Sequence, residues 1–126
     1  MSSDVDNKLK EIKIENFIWF IYIGIIFLSW YSNYLEKNYF LYKNLESKRK
    51  YRQIMIIIFS ILLVVYFYFL KSSLDDIKNL KPCDSKKKKD LTTLSLLGSL
   101  FIFLSGIIFL YIAYEDQDLD VEIAFN

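Results

Sequence analysis

Three uninterrupted runs without a single charged side chain divide this sequence: residues 16–35, 53–70 and 91–114. Each approaches or exceeds the roughly 18 residues that a bilayer-spanning helix needs. A helix of a soluble bundle must keep a polar face. The stretch from Ile54 to Val65 offers one hydroxyl, Ser60, all the way round. A chain of 126 residues cannot bury three such helices on every side within its own core. The solvent that suits them is lipid. The sequence therefore predicts an all-α integral membrane protein with three transmembrane helices, at about 17–35, 54–70 and 92–114. Residues 1–126 form a single three-helix transmembrane domain, with a charged leader at 1–15 and an acidic tail at 115–126.

Aromatic residues mark where the helices leave the hydrocarbon. Trp19 and Tyr22 lie near one end of the first run, and Trp30, Tyr31 and Tyr34 crowd the other. Amphipathic rings favour the headgroup level, so these read as anchors. In the leader, Leu9 and Ile12 stand at helical spacing, which fits either a surface helix or a first turn leading into the first span. The first loop is expected over residues 36–53, with Tyr39, Phe40, Leu41 and Tyr42 at the interface. Lys48, Arg49, Lys50 and Arg52 abut the second span, where long cationic side chains reach lipid phosphates. That span is short, about 25 Å, and should stand nearly upright.

The second loop is expected over residues 71–90. Ser73 with Asp76 makes a loose capping box, and Leu74, Ile77 and Leu80 share a face. This predicts a short interfacial helix ended by Pro82. Lys86, Lys87, Lys88 and Lys89 are further candidate lipid-phosphate contacts, each contributing about 1 kcal/mol near an anionic surface. Asp90, Thr92 and Thr93 are candidate N-caps for the last helix.

The third span carries the small residues Thr92, Ser95, Ser99, Gly106 and Ala113 on one stripe, bordered by Gly98 and Ser105. In lipid, small faces let helix backbones approach closely, and hydroxyls bond across the seam. This is the candidate packing stripe, either within the chain or against another copy. The intramolecular reading is preferred, because three helices must pack somewhere.

After the last run, the acidic tail has no basic residue, and Leu119, Val121, Ile123 and Phe125 alternate with polar positions. Period two marks a half-buried strand, whose only available partner is another protein's sheet edge. A disordered acidic tail fits the same residues. The segment from Tyr111 through Asp116, followed by residues 118–126, resembles the ending of uncharacterised small three-span membrane proteins of AT-rich Gram-positive bacteria. That resemblance implies the membrane class and no particular activity.

Chemistry is mostly excluded. Histidine is absent, which removes the commonest general base and metal ligand. Cys83, the one cysteine, allows no internal disulfide. Asp116, Asp118 and Asp120 lack the calcium-loop pattern, because Val121 stands where that loop needs glycine. No phosphate loop, nucleophile elbow or zinc-binding histidine pair occurs. Transporters keep ionisable groups inside the membrane, and none of the three runs carries one. No cofactor, metal or nucleic-acid partner is expected. The expected partners are anionic lipid headgroups and either a membrane protein or a second copy.

Two functions remain. One is a non-enzymatic protein acting by contact, as an accessory subunit, regulator or immunity-type protein. The alternative is a self-assembling pore. Length, three spans and charged termini resemble three-span phage holins, although those end in basic tails and this sequence ends acidic. The first span should stay as a signal anchor. The net charge of +1 conceals an uneven distribution. With the N-terminus inside, ten Lys and Arg face the cytoplasm against six outside. The positive-inside rule therefore favours a multi-pass cell-membrane protein with N-terminus inside and C-terminus outside.

Overall fold

The computed structural model describes residues 3–116 and Leu119, with side chains from Val5 onward. Three helices follow in order: α1 (Ser3–Tyr42), α2 (Leu45–Lys78) and α3 (Lys86–Glu115). Each is long and apolar enough to cross a membrane. Among the described residues there is no strand. The chain is an all-α, multi-pass membrane protein with three spanning helices.

Two compact units divide the chain, Met1–Tyr51 and Arg52–Asn126. The first holds α1 and the opening turns of α2. At 40 residues α1 is about 60 Å long, twice the roughly 30 Å hydrocarbon core. The charged leader is thus a helical extension of the first span, tied locally by Lys8 and Glu11 at 3.9 Å. Ile18, Ile25, Ser32 and Leu35 are the buried positions of α1. Their spacing is three or seven, so they lie along one face of the helix. Phe20, Phe27, Trp30 and Tyr34 are exposed. Tyr31 and Tyr34 meet edge to face at 6.5 Å, as Trp19 and Tyr22 do at 5.6 Å.

The expected first loop shrinks to residues 43–44, and α1 and α2 take up the residues on either side. Lys43 enters the left-handed region with φ 55°, and its amide donates to the Tyr39 carbonyl at 2.8 Å. Asn44 then caps α2, its Oδ1 accepting from the amides of Glu46 and Ser47 at 3.0 and 3.3 Å. Two residues suffice to end one helix and start the next.

The second unit is a hairpin of the remainder of α2 with α3. Its seam alternates steps of four and three: residues 52, 56, 59, 63, 66, 70, 73 and 77 on α2, and 92, 96, 99, 103, 106, 110 and 113 on α3. All are buried or half-buried. A 3.5-residue repeat is the pattern of left-handed helix packing. The pairs run antiparallel. Ser73 and Ser99 share a hydrogen bond of 2.9 Å, Phe67 meets Phe103 and Phe59 meets Phe109 with ring centroids 5.9 Å apart, and Arg52 reaches Tyr114.

Three expectations about the second loop are corrected. The helix around Ser73 and Asp76 is no separate interfacial element. It is the end of α2, and Ser73 is buried in the seam, so it caps nothing. The loop contracts to residues 79–85. The N-cap of α3 is Ser85, whose Oγ accepts from the Lys88 amide at 3.1 Å. Asp90, Thr92 and Thr93 lie inside the helix, the two threonines bonding back to the Lys88 and Lys89 carbonyls.

Candidate functional site

One residue without a side chain makes room for α2 against α3. A Cβ built on Gly106 would lie 3.0 Å from Tyr66 Cδ2 and 3.3 Å from Leu63 Cδ1. Glycine lets the tyrosine ring lie against the α3 backbone, and the gap is filled by a side chain of α2. Ala113 is also buried, and Thr92 and Ser99 are half-buried, all at heptad spacing from Gly106. Ser95 is exposed and lies off the seam. Gly98 is exposed too, and a Cβ built there would meet nothing within 4 Å. The α2 half of the seam is not recognisable as a site from sequence. Ser73 and Tyr66 carry it, and the available signal is their seven-residue spacing with Phe59 and Arg52.

The basic residues near α2 divide by use. Lys48 places Nζ 5.2 Å above the Tyr39 ring. Arg49 pairs with Glu46 at 3.1 Å, one turn back on an exposed face. Lys50 is exposed. Arg52 turns inward: Nη2 donates to the Tyr114 carbonyl at 2.8 Å, while Nε is buried without a hydrogen-bond partner. The guanidinium thus supplies a donor to the last turn of α3, where unsatisfied carbonyls gather and the helix dipole favours positive charge.

At the other end, Asp84 organises the connection. Its carboxylate accepts from the Lys81 amide at 2.7 Å and from Lys88 Nζ at 3.3 Å. The Lys81 amide bond is the chief reason its pKa lies below the ordinary carboxylate value; partial burial opposes this, and Lys88 and Lys81 assist it. Lys89 Nζ donates to the Pro82 carbonyl at 3.2 Å. Lys88 and Lys89 therefore hold the corner, whereas Lys86 and Lys87 are exposed. Cys83 is a free, exposed thiol in the same connection.

In the tail, Leu119 has a left-handed backbone, φ 57°. Val121, Ile123 and Phe125, the other members of the candidate partner strand, lie outside the described residues. Among the described residues no three Asp, Glu or Cys gather as metal ligands would. Comparison of the chain with known protein families, with curated proteins and with solved structures returns no match.

Proposed function

We propose that this protein acts by contact within the cell membrane, as a non-enzymatic accessory subunit, regulator or immunity-type protein. The observation that supports this best is the filled α2–α3 seam between charge-free spans. Tyr66 occupies the space left by Gly106, and Phe59 with Phe109 and Phe67 with Phe103 close the levels on either side. A packed, aromatic-filled seam whose one charged member, Arg52, sits at its end suits a scaffold that presents surfaces, not a path for solutes. Those surfaces are the lipid-exposed flank of α3, the exposed cations Lys50, Lys86 and Lys87, and the acidic tail. The cations are assigned to anionic headgroups, with the N-terminus inside and the C-terminus outside.

Exposed Gly98 and Ser95 on α3 favour a second reading, a self-assembling holin-like pore, because small residues open to the outside permit close approach of another helix. One experiment separates the two. The tagged protein is expressed under a regulated promoter, membrane potential is recorded, and the membranes are then extracted in mild detergent for affinity capture. A stoichiometric membrane-protein partner with an undisturbed potential supports action by contact. An abrupt collapse of potential supports the pore. Repeated capture of the tagged chain alone, at constant potential, rejects the contact reading.

A further inference from the structure

The two charge-free runs of the hairpin do not end at the same level. Ser73 and Ser99 bond through short side chains, so their backbones stand level and fix the register. Beyond that level the charge-free run at 91–114 of α3 continues for eight residues to Leu91, about 12 Å. On α2 the run at 53–70 has already ended, and the first carboxylate, Asp75, stands about 3 Å beyond the same level. The step between them is about 9 Å, nearly two helical turns. By Ser73, α2 has become polar: Lys71, Asp75, Asp76 and Lys78 follow one another on exposed positions. Beside them α3 still presents Leu91, Leu94 and Leu97, which are 55%, 60% and 44% exposed.

One level of the molecule thus demands two solvents. Raising the hairpin until the α3 leucines stand in water would expose an apolar patch. Lowering it would bring Asp75 and Asp76 into hydrocarbon, where a carboxylate is costly. Lys71 and Lys78 could escape along their four-carbon stems, but the short aspartate side chains cannot. Tilting does not help either. A step of about 9 Å between helices about 9 Å apart needs about 45°, against an average near 20° for spanning helices.

We propose that the hairpin holds the adjacent leaflet at two depths. Acyl chains cover Leu91, Leu94 and Leu97 on the α3 flank. On the α2 flank, water and headgroups descend to Asp75 and Asp76, and the leaflet is thinner there by nearly two helical turns. The partner of this surface is the lipid leaflet itself, and the inference stands apart from any protein partner.

The full chain is reconstituted in phosphatidylcholine vesicles with Cys83→Ser as background. Spin labels are placed singly at Leu74→Cys on α2 and Leu94→Cys on α3, which leaves both carboxylates in place. Collision with a water-soluble nickel chelate should be several-fold greater at position 74 than at 94, and collision with membrane-dissolved oxygen should show the reverse. Adding Asp75→Asn and Asp76→Asn to the Leu74→Cys protein should lower its collision with the chelate several-fold. A Ser73→Cys, Ser99→Cys pair should form a disulfide in the same vesicles, confirming the register. Equal accessibility at 74 and 94, closure of position 94 to both reagents by a second copy or other protein, an unchanged response in the Asn variants, or no disulfide would each overturn the proposal.

Discussion

Gly106 and Gly98 sit eight residues apart on α3 and offer a controlled comparison. A methyl group at Gly106 meets Tyr66 at 3.0 Å, closer than ordinary contact, whereas one at Gly98 meets nothing within 4 Å. Gly106→Leu should therefore destabilise the hairpin by about 1–3 kcal/mol through overpacking. Gly98→Ala should be neutral or stabilise by up to about 1 kcal/mol, the helix-propensity gain. Unfolding titrations in mixed detergent micelles measure both, and equal effects would deny the close approach at Gly106. Lys43 is the opposite case, a side chain held at φ 55° where glycine is at ease. Lys43→Gly should stabilise the chain by about 1 kcal/mol in the same titrations. Asp84 supplies a pH dependence. Its pKa is lowered in the folded corner, first by the Lys81 amide. The stability it contributes is thus fully present above the ordinary carboxylate value, about 3.9, and is lost as pH falls through the lowered folded value. A carboxyl-carbon NMR titration of Asp84 should show a midpoint below the ordinary value, and Lys88→Ala should raise it.

The hairpin of α2 and α3 is bolted at two places by polar groups, and each bolt can be weighed. For Ser73 and Ser99 a double-mutant cycle to alanine should give a coupling of about 0.6 kcal/mol, with a ceiling near 1.7, as for other hydrogen bonds between helices in membranes. Coupling indistinguishable from zero would mean the two hydroxyls do not depend on each other. Arg52 acts on the end of α3. Arg52→Ala should speed hydrogen exchange at the amides of the last turn, Ile112 to Asp116, and leave the first turns unchanged; Arg52→Lys should restore only part of the protection, because it lacks the fork. These bolts also explain what the sequence does and does not disclose. The three spans are legible because absence of charge over 18 or more residues has a single physical meaning in a chain of this size. Helix ends are not legible, since the flanks at 36–53 and 71–78 are charged yet favour helix, and charge alone does not make a loop. The breaks fall where Lys43 turns left-handed before the Asn44 cap of α2, and at residues 79–85 before the Ser85 cap of α3. Of the small stripe, Thr92, Ser99, Gly106 and Ala113 share the buried seven-residue repeat, while Ser95, admitted by its spacing of four from Ser99, faces outward. A period of 3.6 tolerates both steps, and only the packing of α2 selects one. Arg52 groups by sequence with its basic neighbours, because a run of cations does not show which member turns inward.

At the scale of the whole molecule the open question is which end faces the cytoplasm, and the exposed thiol of Cys83 reads it without any engineered site. Three spans place the connection at 79–85 on the same side as the leader and opposite the acidic tail. The proposed orientation, which rests on the Lys and Arg count of ten against six, has that side in the cytoplasm. A membrane-impermeant maleimide should then label Cys83 only after cells are permeabilised, while Asn126→Cys in a Cys83→Ser background should label in intact cells. Labelling of both from the same side would contradict three spans. The bias can be weakened selectively, because Lys88 and Lys89 are tied to Asp84 and Pro82 whereas Lys86 and Lys87 are exposed. Lys86→Gln with Lys87→Gln lowers the inside count from ten to eight and leaves the corner bonds intact. A minority of chains should then invert, seen as a new fraction of Cys83 labelled in intact cells. If the wild-type thiol labels in intact cells instead, loop charge does not orient this protein. The Lys48 to Arg52 cluster would then lie in the cytoplasm with the tail, and partners of the tail would have to be sought among cytosolic proteins.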